Sequence, residues 1–238
     1  MNEKPYGYDA IVLGHGSNKL TFVKKVSCEN VNRKHKHLQK TSHQNLVNLM
    51  DICATEEAVY FTYERPGISL KDLNKYSRLV FDRITVATIC REILHGLIYI
   101  HDVLKIGHGE LNCDNVFINQ DGRVQIGGIG ESMLKETNKN VLSHDVQAVC
   151  DIAFDLLDLK KHSDTLSMSF LVADDFTKPP VDSRLEDLLK HPFLKISQGP
   201  WYLANLEFTY TVGLQIQPPP GHPKLSESIT ESEDRCAS

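Results

Sequence analysis

The chain has 238 residues, 41% hydrophobic and 24% charged, which is enough apolar material for one or two packed domains with a full-sized core. A formal net charge of −5 argues against nucleic-acid binding by bulk electrostatics, and the basic cluster Arg33, Lys34, Lys36 and Lys40 reads as a solvated helix face. No apolar run approaches the ~18 residues of a spanning helix, so no membrane partner is expected. The six cysteines, at 28, 53, 90, 113, 150 and 236, show no paired short spacing, and the start does not resemble a signal peptide. Reduced thiols in the cytosol or nucleus follow from that pattern. The eleven histidines show no ligand spacing; His35 and His37 are two apart and fall on different faces of a helix.

In chain order, residues 8–13 and 20–26 are β-branched and aromatic runs joined by Gly14-His15-Gly16-Ser17-Asn18, which predicts a hairpin. A polar helix is expected over 29–41 and strands over 46–51 and 58–63. Arg65-Pro66-Gly67 breaks the pattern and suits a hinge. From Ile84 to His101, Val86, Ile89, Cys90, Ile93, Leu94, Leu97 and Ile98 recur at helical spacing and describe a core-facing stripe. Val116-Phe117-Ile118 and Val124-Gln125-Ile126 flank an Asp-Gly turn and form a second hairpin. Helices fit 144–160 and 184–191. From about 215 the chain is rich in Pro, Ser and Glu and has too little apolar surface to order itself. No internal repeat is visible.

One stretch carries chemistry. His108-Gly109-Glu110-Leu111, followed by Asn115, keeps the spacing of a protein-kinase catalytic loop, in which an Asp takes the substrate proton and an Asn holds magnesium. Glu110 stands for the Asp, Gly109 for the Arg, and Asn112 for the usual Lys. The chain therefore resembles the protein kinase superfamily. Thr21-Phe22-Val23-Lys24 resembles the strand whose lysine steadies the nucleotide phosphates, and His43-Gln44-Asn45-Leu46-Val47 the His-Pro-Asn-Ile-Val segment. The helix around Arg91-Glu92-Ile93-Leu94 and the late segment Leu188-Leu189-Lys190-His191-Pro192-Phe193-Leu194 resemble the PAK branch of the sterile-kinase-like serine/threonine enzymes.

That resemblance implies an α+β bilobal fold. Residues 1–64 would form a small lobe of antiparallel sheet and one helix that lacks its first strand and glycine-rich loop, 68–195 a mainly helical lobe, and 196–238 a partly disordered tail. Gly14-His15-Gly16 lies only ten residues before Lys24, too close for the phosphate loop, and fits a turn between the second and third strands. On this reading the chain begins after the first strand, through either a truncated start or a decaying gene copy.

The parts needed for phosphoryl transfer are altered together. Gly128-Ile129-Gly130 stands where Asp-Phe-Gly should hold magnesium, so Asn115 is the remaining candidate ligand. The position of the glutamate that pairs with Lys24, nine before His43, is Lys34, and Glu29 is the only nearby acidic substitute. Fourteen residues separate Gly130 from Asp145, which is expected to begin a helix, and no Ala-Pro-Glu lies between them. Asp182 stands where an Arg would pair with that Glu. The resemblance with these losses implies a pseudokinase: a signalling module acting through protein partners, as scaffold or allosteric partner, with no cofactor. The alternative is a divergent serine/threonine kinase using Lys24, Glu110 and Asn115, with His108 as loop frame and ATP and magnesium as cofactors.

Overall fold

The computed structural model describes residues 3–4, 7–14, 17–27, 38–76, 79, 81–135, 137–159 and 168–216, with side chains from Thr21 onward except at 168, 169, 215 and 216. Two lobes share one core. The small lobe is a five-stranded antiparallel sheet: β1 (Glu3–Lys4), β2 (Gly7–Gly14), β3 (Ser17–Ser27), β4 (Leu49–Ala54) and β5 (Ala58–Glu64), in the order β1-β2-β3-β5-β4. The expected hairpin is present, running from Tyr8↔Val23 to Gly14↔Ser17. One strand more than expected lies at the edge, where Glu3–Lys4 pairs with Gly7 and Tyr8. Two residues are too short a run to register as a periodic pattern. Only Pro5 and Tyr6 separate β1 from β2, so no glycine-rich loop joins them.

Most of the helix expected over 29–41, residues 29–37, lies outside the described residues; residues 38–41 are irregular. Lys40 is paired with Asp51 at 2.9 Å. The strand expected from 46 begins at Leu49, because 45–47 bind the other lobe: Leu46 bridges Ile126, Val47 N donates to Ile126 O at 2.9 Å and Ile126 N to Asn45 O at 2.9 Å. Asn45 also donates its amide to Glu92 Oε2 at 2.7 Å and Val124 O at 3.1 Å. The segment resembling His-Pro-Asn-Ile-Val is thus a clasp between the lobes.

After the hinge, β6 (Ile68–Ser69) leads into α1 (Leu70–Lys75), capped by the Ser69 hydroxyl, which accepts from Asp72 N. Helix α2 (Arg83–Ile98) starts at Asp82, whose carboxylate accepts from Thr85 N at 2.7 Å, and continues through one π-helical turn, Tyr99–Val103. Its apolar stripe is buried, with Ile89, Ile93, Leu94 and Leu97 fully enclosed, each such residue contributing about 1.5–3 kcal/mol. Strands β7 (Val116–Ile118) and β8 (Val124–Ile126) form the expected hairpin with β6 as a third strand.

Among the described residues the large lobe continues with α3 (Ile129–Met133), α4 (Lys139–Leu156), α5 (Met168–Phe176) and α6 (Leu185–Leu189). Asp145 does not begin a helix. Asn138 caps α4 by accepting from Val141 N at 3.1 Å, and Asp145 lies within the helix, two turns after its start at Lys139. After 3-10 turns at Pro192–Ile196 and Pro200–Leu203, α7 (Ala204–Ile216) docks Tyr210 edge-on against Tyr76 at 5.6 Å. Residues beyond 216 lie outside the described set. Among the described residues no helix is long and apolar enough to cross a membrane.

Candidate active site

A cleft of about 670 Å³ opens between the lobes, with Lys24 and Tyr63 above and His108, Glu110, Asn115 and Gly128 below. The fold therefore gathers every candidate residue into one cavity. What each one does there is decided by its neighbours.

The catalytic-loop frame is anchored by Asp145. This fully buried carboxylate accepts from His108 N and Gly109 N, each at 2.7 Å, and from His101 Nε2 at 2.8 Å. Burial alone would raise its pKa, but the His101 bond and the two backbone donors outweigh burial and hold the carboxyl below the usual range. His108 is 1% exposed. Its Nε2 lies 2.8 Å from Gly127 O, which can only accept, and its Nδ1 takes Glu110 N at 3.3 Å, which fixes a neutral ring protonated at Nε2. Burial lowers its pKa, opposed in part by the Gly127 carbonyl.

Gly109 has φ of 77°, a left-handed backbone that an arginine would adopt only under strain. Glycine takes this conformation without that strain. Asn115 spends its amide inside the loop: Nδ2 donates to Glu110 O at 2.6 Å and Oδ1 accepts from Asn112 N at 3.0 Å. Glu110 is 67% exposed and meets Lys135 Nζ at 2.5 Å. The Lys135 ammonium holds its pKa below the ordinary carboxylate range, which weakens it as a base. Asp114, next in the loop, is bridged to Lys71 of α1 at 2.7 Å.

Across the cleft the charges are arranged differently. Lys34 lies outside the described residues. Lys24 forms an ion pair with Glu131 of α3, whose other oxygen accepts from the Tyr63 hydroxyl at 2.7 Å. That hydroxyl in turn accepts from Gly130 N at 2.8 Å. Gly130 cannot change without disturbing this set, since a Cβ there would sit 2.5 Å from Phe61 Cδ1 and 2.6 Å from the hydroxyl. Gly128, at φ 81°, has open space beside it; a Cβ would meet only His108 Nε2, at 3.7 Å.

At the motif positions Gly128 has no side chain to offer a divalent cation, which leaves Asn115 Oδ1, itself accepting one hydrogen bond within its loop. Among the described residues no cluster of three His, Cys, Asp or Glu side chains suits a metal.

Residues 17–166, well over half of the chain, match the protein kinase domain model. The chain belongs to the protein kinase family. Its serine/threonine kinase relatives include serine/threonine-protein kinase 1 of Arabidopsis thaliana, 30% identical over 94 residues, and the kinase pakA of Dictyostelium discoideum, 28% over 95; each alignment covers 39% of this chain, and 11% and 8% of those proteins. The cell division control protein 2 homolog 3 of Trypanosoma brucei brucei is 24% identical over 170 residues, 68% of this chain and 54% of that protein. The chain spans only a small part of the first two relatives and about half of the third.

Sequence reasoning missed Glu131, Tyr63 and Lys135. The available signal was a deficit: Lys24 has a cation where its acidic partner should be, and Glu131 is the first carboxylate after Gly128. No spacing rule connects residues 24 and 131, because the approach of α3 to the sheet makes the pair.

Proposed function

We propose that this kinase-family chain is a pseudokinase, retaining the bilobal fold for protein–protein interaction as a scaffold or allosteric partner and transferring no phosphate. The observation that carries this reading is the state of Lys24. It is paired with Glu131, while Gly128 supplies no carboxylate for magnesium. Phosphoryl transfer in this family rests on positioning and charge neutralisation, and both require that cation and that metal. Glu110, paired with Lys135, adds to the case.

A thermal-denaturation titration tests the proposal. Magnesium with ATP is expected to leave the melting temperature unchanged; several degrees of saturable, magnesium-dependent stabilisation would overturn it. The alternative, a divergent serine/threonine kinase, draws on the presence of Lys24, Glu110 and Asn115 in one cleft. It requires peptide or self-phosphorylation that disappears in Glu110→Gln, and a signal equal in both proteins removes it.

A further inference from the structure

Lys24 and Glu131 reach the cleft from opposite lobes, and Tyr63 closes the set from the end of β5. Both Glu131 oxygens are engaged, and the carboxylate is only 15% exposed, so water screens the pair weakly. Tyr63 is buried, and burial together with the charge of Glu131 keeps its hydroxyl protonated and donating. Gly130 N fixes that hydroxyl from the other side. The carboxylate is held from two directions, by the lysine and the phenol.

An incoming phosphate would meet two obstacles here. Its cation is already neutralised, and displacing Glu131 from Lys24 leaves a carboxylate with one hydrogen bond beside a new anion, where like charges repel. We infer that Glu131 is an internal substitute for the nucleotide phosphate, a positioning residue that occupies Lys24 and so excludes polyanionic ligands from the cleft. The inference rests on the pseudokinase reading and supplies a specific cause for it. A rival role has the opposite sign: Glu131 follows Gly128 by three residues and, as a metal ligand, would promote nucleotide binding.

Calorimetric titration of the full chain with ADP, with and without magnesium, separates these roles. Glu131→Gln is expected to bind magnesium-free ADP on the order of tenfold more tightly than the natural protein. The gain should vanish in Glu131→Gln/Lys24→Met and shrink at raised salt. A gain of binding cannot come from structural damage. Should the glutamine variant not fold, Glu131→Ala, which places no amide against Lys24, carries the same expectation. Unchanged or weaker ADP binding in the folded variant overturns the inference and leaves the pseudokinase reading standing. Tight magnesium-dependent binding by the natural protein that Glu131→Gln abolishes overturns both and makes Glu131 a metal ligand.

Discussion

The catalytic-loop wall of the cleft and the wall facing it across Gly128 both depart from the kinase pattern, yet they are held by different means. The loop wall is tied together by hydrogen bonds to backbone: Asp145 on two amides, His108 on Gly127 O, Asn115 on Glu110 O. The facing wall is tied by side-chain charge, through Lys24, Glu131 and Tyr63. The first arrangement fixes the fold whether or not chemistry occurs. The second consumes the groups that chemistry would need. His108 and Asp145 hold the loop by backbone bonds, whereas Lys24 is paired with Glu131 and a glycine stands at position 128.

The comparison breaks most severely at Asp145. Asp145→Ala would leave the buried His108 N–H, the partly buried Gly109 N–H and His101 without an acceptor, and a cost of about 3–5 kcal/mol is expected, a fall in melting temperature of roughly ten degrees. Asp145→Asn, keeping one acceptor oxygen, should fall between. The same anchor sets a pH dependence. The Asp145 carboxyl titrates below 3.8 in the folded chain, so its contribution is full above that value and is lost as pH falls through the folded pKa. His108 is depressed below 6.5 by burial; the unfolded chain takes up its proton first, and stability declines as pH drops below 6.5. Urea midpoints measured from pH 7 to 3 should show both steps, with the lower one absent from Asp145→Asn.

Gly130→Ala strikes the facing wall. The added methyl would enter Phe61 and the Tyr63 hydroxyl, and overpacking there should cost about 1–3 kcal/mol in a chemical-denaturation experiment. A smaller cost would mean that the Tyr63 hydroxyl can leave Glu131 easily, and the contrast between the walls would weaken.

Much of this was legible from the residues. The hairpin at Gly14, the Val86–Ile98 stripe and the Asp121-Gly122 turn each write their local geometry in a short window, where period and turn chemistry suffice. The elements that escaped did so for physical reasons. Helix α3 is five residues long with two glycines flanking its start, a composition that propensity reads as loop; contact with Phe61 and Tyr63 stabilises it instead. Strand β4 begins late because 45–47 are claimed by β8 of the other lobe. The candidate residues of the site were found by motif spacing, whereas their actual partners, Glu131 for Lys24 and Lys135 for Glu110, arise only when the lobes meet.

Gly128→Asp tests whether the missing magnesium ligand was lost for steric reasons. The space beside the residue is open, but its φ of 81° disfavours side chains by about 1–2 kcal/mol, least for Asp and Asn. The expected order of stability is Gly above Asp above Ala. An aspartate as stable as glycine would show that the backbone relaxes to an ordinary conformation, and would remove conformation as the reason a carboxylate is absent there.

The smallest effect belongs to the pair Lys71–Asp114, which links α1 to the catalytic loop at 2.7 Å. Its side chains are 44% and 37% exposed, so water and salt screen the attraction and hold its worth to about 0–1 kcal/mol. Backbone bonds already position the loop on both sides of Asp114, through Lys71 N to Cys113 O at 2.9 Å and Gly127 N to Asn115 O at 2.8 Å. Lys71→Met is therefore expected to shift the denaturation midpoint barely and to lose even that shift in high salt. A loss well above that range would mean that the loop wall, like the wall opposite, depends on charge for its shape, and the distinction between the two would no longer hold.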